Sequence, residues 1–214
     1  VRRIRLFPLP GVVLFPGTLL PLHIFEPRYK ALVEHALAED RLVGMSMIAD
    51  LIPDEASTPG PPLRPFGGAG IIIEHERLDD GRYNILLEGT FRYRILREES
   101  SQPYRVATIE EFPAVPFSSA EEEDSAIEQV RGLFAALAPE MELPPLPSEA
   151  LSAERLSGEL ALRLRCAPDE LQELFEAKSL AERFDTIGKR LSQWKAVTDL
   201  LAPYRAAALD PQAN

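Results

Sequence analysis

The stretch FPLPGVVLFPGTLLPLHIFEPRYK, residues 7–30, limits what this chain can become more than any other. It is apolar enough to be buried, yet Pro8, Pro10, Pro16, Pro21 and Pro27 interrupt it, and it turns charged at Glu26. A proline cannot donate to a strand ladder, so the runs Val12–Phe15 and Leu19–Phe25 predict short strands broken at edges, bulges or turns. Pro27 suits the first turn of a helix, where its missing N–H costs nothing. Tyr29, Leu32, Val33, Ala36 and Leu37 follow at helical spacing, which predicts a helix ending near Asp40.

Downstream, the first half continues as short apolar runs between turns. Strands are expected over Leu42–Ile48, Ala69–Glu76, Arg82–Glu88, Phe91–Arg97 and Tyr104–Phe112. Asp79-Asp80-Gly81 reads as a hairpin turn and Gly89 as a bulge or corner. Residues 53–68 are rich in proline and glycine and read as an exposed loop that includes Phe66. The second half changes period. Ser119 with Glu122, and Ser179 with Glu182, are capping boxes that open helices. Further helices are expected over roughly 148–165 and 168–177. Leu180, Phe184, Ile187, Leu191, Trp194 and Leu201 form a seam that predicts packing against a partner helix, within the chain rather than across a dimer. The fold class is therefore α+β: a β-rich unit over 1–117 and an α-helical bundle over 118–214.

At 214 residues the chain can bury a core without staples, and its single cysteine, Cys166, cannot form an intrachain disulfide. A reducing, cytoplasmic setting is expected. Val1 stands where an initiator methionine would, which leaves room for residues upstream. No apolar run is long enough to span a membrane, so no membrane partner is expected. The net charge of −11 disfavours sequence-independent nucleic-acid binding.

Signs of catalysis are sparse. His23, His35 and His75 are isolated, without HExxH or CxxC spacing. There is no nucleophile elbow, no phosphate-binding P-loop and no dinucleotide fingerprint. No catalytic residue, cofactor or metal is assigned. The charges at two corners stand out instead: Glu26 and Arg28 flank Pro27, while Glu88 and Arg92 flank Gly89. A structural ionic cluster is expected there, cross-linked as Glu26–Arg92 or Arg28–Glu88, since guanidinium binds carboxylate with two hydrogen bonds.

Residues 7–37 resemble the opening of the Lon N-terminal (substrate-binding) domain, especially its stand-alone bacterial form. LEGTFRYRI (87–95 with Leu87, Glu88, Gly89 and Arg92), PYRVA (103–107) and the helical segments around 156–161, 171–176 and 182–184 agree with it. The resemblance implies a PUA-like β pseudo-barrel carrying one helix, followed by an α-helical bundle. In full Lon proteases this region recognises substrate proteins, and an ATPase and a Ser-Lys protease domain follow. This sequence reaches neither, so a non-enzymatic protein-binding module is implied, with unfolded or client polypeptides as partners and a protease or chaperone alongside. The contact surface is expected at Leu14, Phe15, Leu20, Phe25 and Phe66. RNA binding through Arg2, Arg3, Arg5, Arg92, Arg94 and Arg97 is the alternative, because PUA-like folds elsewhere bind RNA. A pocket built on His23, Glu26 and Arg28 is a third reading. The oligomeric state is left open.

Overall fold

A computed structural model describes residues 1–49, 60–99, 103–147, 151–164 and 166–208, with side chains through residue 201. Six strands are β1 (Arg2–Leu9), β2 (Leu19–Ile24), β3 (Leu42–Ile48), β4 (Leu63–Arg77), β5 (Tyr83–Glu99) and β6 (Arg105–Glu111). The helices are α1 (Pro27–Ala38), α2 (Ala120–Leu137), α3 (Ala153–Arg163), α4 (Pro168–Glu176) and α5 (Leu180–Ala208).

The sheet runs β2-β5-β4-β3-β1-β6, and β5 also pairs with β6, so five strands close into a ring. Closure depends on the length of β5. Its first part, Tyr83–Glu88, lies between β2 and β4; beyond the switch Tyr93 and Arg94 still pair with β4 while Tyr93–Glu99 pair with β6. The switch falls at Gly89, where the β4–β5 register slips by a bulge. Among the described strands only β1 and β3 pair in parallel, joined by the crossover through β2 and α1. Strand β1 was not among the strands expected from sequence. Residues Arg2–Leu6 pair with β6, so Ile4 and Leu6 face the closed barrel.

The prolines divide the labour. Pro10-Gly11 and Pro16-Gly17 make turns, and the Phe15 carbonyl accepts from the Thr18 N–H at 3.1 Å across the second of them. Gly17 has φ +76°, the left-handed value such a turn requires. Pro21 lies in β2, opposite Leu86. Pro27 starts α1, whose Tyr29, Leu32, Val33 and Ala36 pack on Val43, Ile72 and Leu87. The expected strand Val12–Phe15 is absent. These residues are a crossing segment laid over the sheet, and the glycines of β4 and β5 explain why it can lie there. A Cβ at Gly68 would overlap the Leu14 carbonyl oxygen, and one at Gly89 the Phe15 carbonyl oxygen. Backbone meets backbone there: the Gly17 N–H bonds the Gly89 carbonyl at 2.8 Å, and the Gly89 N–H bonds the Thr18 carbonyl at 2.9 Å.

The helices cover the other side of that segment. Phe15, Val13 and Met47 join Phe134, Leu156 and Phe175 in one apolar cluster. At both sequence-identified capping boxes the serine half forms, while Glu122 and Glu182 reach one residue further back, to the Ser118 and Lys178 N–H groups at 3.1 and 2.9 Å. Ser119 Oγ accepts from the Glu122 N–H at 3.2 Å and Ser179 Oγ from the Glu182 N–H at 3.1 Å. The seam of α5 buries Leu180, Phe184, Ile187 and Leu191, and Val130, Phe134 and Leu137 of α2 share the cluster, so its partner helix is in the same chain. A two-residue ladder ties the halves together: the Val115 N–H bonds the Lys178 carbonyl and the Leu180 N–H bonds the Val115 carbonyl, each at 2.9 Å.

Candidate functional site

The first residues to place are those of the expected contact surface. Leu14 and Phe15 are buried against the glycine floor of the sheet, Leu14 packed in the cluster beneath α1 and Phe15 against Gly158 of α3. Leu20 is half-buried, because alternation along β2 turns it toward the α1 side with Leu22 and Ile24. Phe66 belongs to β4 rather than to a loop, since that strand begins at Leu63; residues 53–59 of the expected loop lie outside the described residues. Its ring sits 4.7 Å from Phe112, and its carbonyl accepts from Gln172 Nε2 at 3.1 Å. Of the five, only Phe25 stands in solvent, at 62% exposure.

Phe25 has neighbours that sequence reasoning did not single out. Leu19 is 48% exposed, and Ile71 and Ile73 are 38% and 39% exposed. Register places them together. Leu19 pairs with Glu88, which pairs with Ile71; Pro21 pairs with Leu86, which pairs with Glu74; His23 pairs with Asn84, which pairs with Glu76. The outer face of β2–β5–β4 therefore carries Leu19, Pro21, Ile71 and Ile73, with half-buried Leu86 between them and Phe25 at the end of β2. The signal was present: alternation in LLPLHI puts one apolar set in and another out. In β4 ordinary alternation turns Ile71 and Ile73 outward and Ile72 inward, and the bulge after Ile72 leaves Glu74 on the outer face as well.

The face has a free border. β2 pairs with β5 alone among the described residues. Pro21 can sit in that ladder only with its nitrogen turned away from β5, so the free border lacks a donor at its middle. His23 stands on this face in a fixed tautomer: Nδ1–H donates to Asn84 Oδ1 at 2.7 Å, and Nε2 accepts from Arg82 Nη1 at 3.1 Å. That arrangement occupies both ring nitrogens. Glu26 is bonded to Arg28 Nε at 2.9 Å. The third reading, a pocket on His23, Glu26 and Arg28, thus finds its three side chains already engaged with neighbours.

The ionic cluster divides. Glu26 and Arg28 pair with each other, while Glu88 is exposed on the outer face. Arg92 is only 1% exposed and lies on the opposite side, because the bulge at Gly89 and Thr90 reorients the strand. Neither cross-link expected from sequence forms. Arg92 Nη1 donates instead to the carbonyls of Phe175 and Ala177, the latter at 2.8 Å. Its Nε and Nη2 have no hydrogen-bond partner, and the guanidinium lies 4.9 Å from the Phe112 ring centroid and 5.8 Å from that of Phe175. Arg183, fully buried, completes the arrangement. Its Nε donates to the Leu174 carbonyl at 3.1 Å and its Nη1 to Ser157 Oγ at 3.0 Å. Two guanidiniums therefore cap the C-terminal end of α4, where carbonyls lack helical partners and the dipole is negative. Burial lowers both pKa values, that of Arg183 to about 10 with repulsion from Arg92 added, while Glu154 opposes the fall at both. This is a joint of the fold, closed to solvent.

The arginines considered for RNA are occupied. Arg2 lies 3.8 Å and Arg5 3.0 Å from Asp40, Arg3 is 2.7 Å and Arg97 3.4 Å from Glu99, and Arg94 is 2.9 Å from Glu110. A phosphate backbone would have to displace each carboxylate. Among the described residues no group of three or more His, Cys, Asp or Glu could hold a metal ion, and no helix is long and apolar enough to cross a membrane. Burial pushes the half-buried Cys166 thiol up, away from the thiolate form that reacts.

Comparison with known proteins decides the family. Residues 3–193 match the model of the ATP-dependent protease La (LON) substrate-binding domain. The chain belongs to the Lon substrate-binding domain family. It is 25% identical over 198 residues to the Lon protease of Methylocella silvestris, a match taking in 87% of this chain and 23% of that protein. The Lon protease of Dictyoglomus thermophilum is 28% identical over 189 residues, 85% of this chain and 23% of that one. The chain thus spans about a quarter of the length of the curated relatives it matches. Two solved structures share the fold. The Lon N-terminal domain protein from Xanthomonas campestris has a TM-score of 0.59 at 22% identity, covering 92% of this chain and 98% of that one. The N-terminal domain of Mycobacterium avium complex Lon protease has a TM-score of 0.67 at 14% identity, covering 89% and 98%.

Proposed function

We propose that this Lon-family substrate-binding domain is a non-catalytic module that holds unfolded or client polypeptides on the outer face of β2–β5–β4, and serves a protease or chaperone in doing so. The observation that carries the proposal is the cluster of Leu19, Pro21, Phe25, Ile71 and Ile73, apolar side chains exposed together on an open sheet face. Isolated apolar side chains on a surface need no explanation, but a contiguous set on one face marks an interaction site. A side-chain platform suits a module that must accept many sequences, because apolar contact is non-directional. The buried sites of the molecule fit this reading, since Arg92 and Arg183 close the joint behind the sheet and leave the outer face for contact.

The test uses a fluorescent, uncharged peptide rich in Leu, Phe and Ile, titrated with the full chain. Saturable binding is expected, and Phe25→Ser with Ile73→Ser should weaken it by about tenfold, equivalent to roughly 1.4 kcal/mol. Equal affinity in the wild type and the double variant would remove the face from consideration.

A further inference from the structure

Carboxylates interleave the apolar residues of this same face. Glu88 separates Leu19 from Ile71 in register, Glu74 lies across Leu86 from Pro21, and Glu76 lies across Asn84 from His23. Adjacent strands are about 4.8 Å apart, so each carboxylate lies beside an apolar neighbour. Neither Glu74 nor Glu88 has a hydrogen bond or ion pair through its side chain among the described residues. Glu76 accepts a hydrogen bond from Asn84 Nδ2 at 3.0 Å. The nearby cations already have partners, Arg82 on this face beside His23 among them. Arg28 is held by Glu26, Arg82 by Asp80 at 2.6 Å, and Arg77 sits over the Tyr83 ring. The face is therefore apolar in shape and negative in field, on a chain that is itself at −11.

Resting on the function proposed above, we infer that the polypeptides this face takes are basic as well as apolar: segments in which Lys or Arg alternates or clusters with Leu, Ile, Val or Phe. Such side chains suit both components. Their methylene stems lie along Leu19, Ile71 and Ile73 while their cationic heads reach Glu88 and Glu74. Acidic clients meet like charge and lose affinity. Along β2 recognition runs through side chains rather than through strand addition, because Pro21 removes a donor from the middle of its free border.

Three 15-residue peptides with identical Leu, Phe and Ile positions, spaced by Lys, by Ser or by Glu, distinguish the two levels of the argument. Their dissociation constants are measured by fluorescence anisotropy at low salt and at about 1 M salt, where the Debye length falls to about 3 Å. The Lys peptide should bind about tenfold tighter than the Glu peptide at low salt, with the Ser peptide between them, and the spread should collapse at high salt. Glu74→Lys with Glu88→Lys should reverse the order, while Glu128→Lys with Glu140→Lys, exposed on the helical half, should leave it intact. Equal affinities for the three peptides, or an order that the remote pair shifts as much as the local pair, overturns the basic preference while binding of the Ser peptide leaves the apolar face standing. Binding of the Lys peptide alone, unaffected by Phe25→Ser with Ile73→Ser, overturns both.

Discussion

On the outer face of β2–β5–β4, Leu19, Phe25, Ile71 and Ile73 meet water, whereas behind β5 the guanidiniums of Arg92 and Arg183 are withdrawn from it. Each arrangement is costly, and the two costs are met differently. The buried cations find fixed partners inside the chain: carbonyls at the end of α4, the Ser157 hydroxyl, and the faces of Phe15, Phe112 and Phe175. Carbonyls and ring faces are weaker than carboxylates but add no second charge to desolvate. The exposed apolar groups find no such cover within the chain among the described residues. A buried charge with internal partners is a matter of architecture; an apolar face left open is a matter of what comes to it.

The largest effect that can break this contrast is at the joint. Arg92→Ala leaves the Phe175 and Ala177 carbonyls without their donor and opens a void beside Phe112, so a loss of about 3 kcal/mol or more is expected. For a chain of this size that is a fall in Tm of roughly 6–12 °C in a thermal melt, with peptide affinity of the folded protein unchanged. Arg183→Met should cost less, about 2 kcal/mol or under. It keeps most of the volume and removes a charge that its surroundings already disfavour. If the methionine variant melts as low as Arg183→Ala, the hydrogen bonds to Leu174 and Ser157 outweigh packing, which differential scanning calorimetry would show directly.

At the open face the ranking inverts. Phe25→Ser should move Tm by no more than about 1–2 °C, as for a surface change of roughly 0.5 kcal/mol, while weakening peptide binding several-fold. A large drop in Tm there would mean that Phe25 belongs to the fold.

The smallest expected effect separates ordinary surface electrostatics from both regions. Hydrogen bonds from Arg190 and the Ala167 N–H hold the Glu170 carboxyl below its usual range. A carboxyl lowered on folding stabilises above its unfolded pKa, and that contribution is lost as pH falls through the folded value. The Tm gap between wild type and Glu170→Gln should therefore be small but complete at pH 7, and should close as pH drops below about 4. A gap that widens on acidification would contradict the direction of the shift.

Much of the fold was legible from local chemistry. Pro27 with the Tyr29–Leu37 periodicity specified α1, and the two Ser-x-x-Glu boxes marked the starts of α2 and α5, because caps and helical periods are properties of a few adjacent residues. The recurrence of short strands, together with the family resemblance, gave the barrel. What escaped depends on residues far apart. Val12–Phe15 looked like a strand because its glycine counterparts, Gly68 and Gly89, lie more than fifty residues downstream. Arg92 looked like a surface ion because its partners are main-chain carbonyls 83 and 85 residues away, and carbonyls carry no residue-type signal. In the candidate site, Phe25 was visible at the end of the apolar run that starts at Leu14. Ile71 and Ile73 were not, because Ile71-Ile72-Ile73 is apolar throughout and carries no polar residue to mark which side chains face out.

The turn at Pro16-Gly17 has a mechanical consequence. Phe15 is wedged against Gly158 of α3 and edge-on to Phe175 of α4, and Thr18, three residues later, gives way directly to Leu19, where the apolar face begins. The helices therefore grip the root of β2 itself. Whatever seizes or reorients the helical half steers the proposed contact surface through a handle only a few residues long.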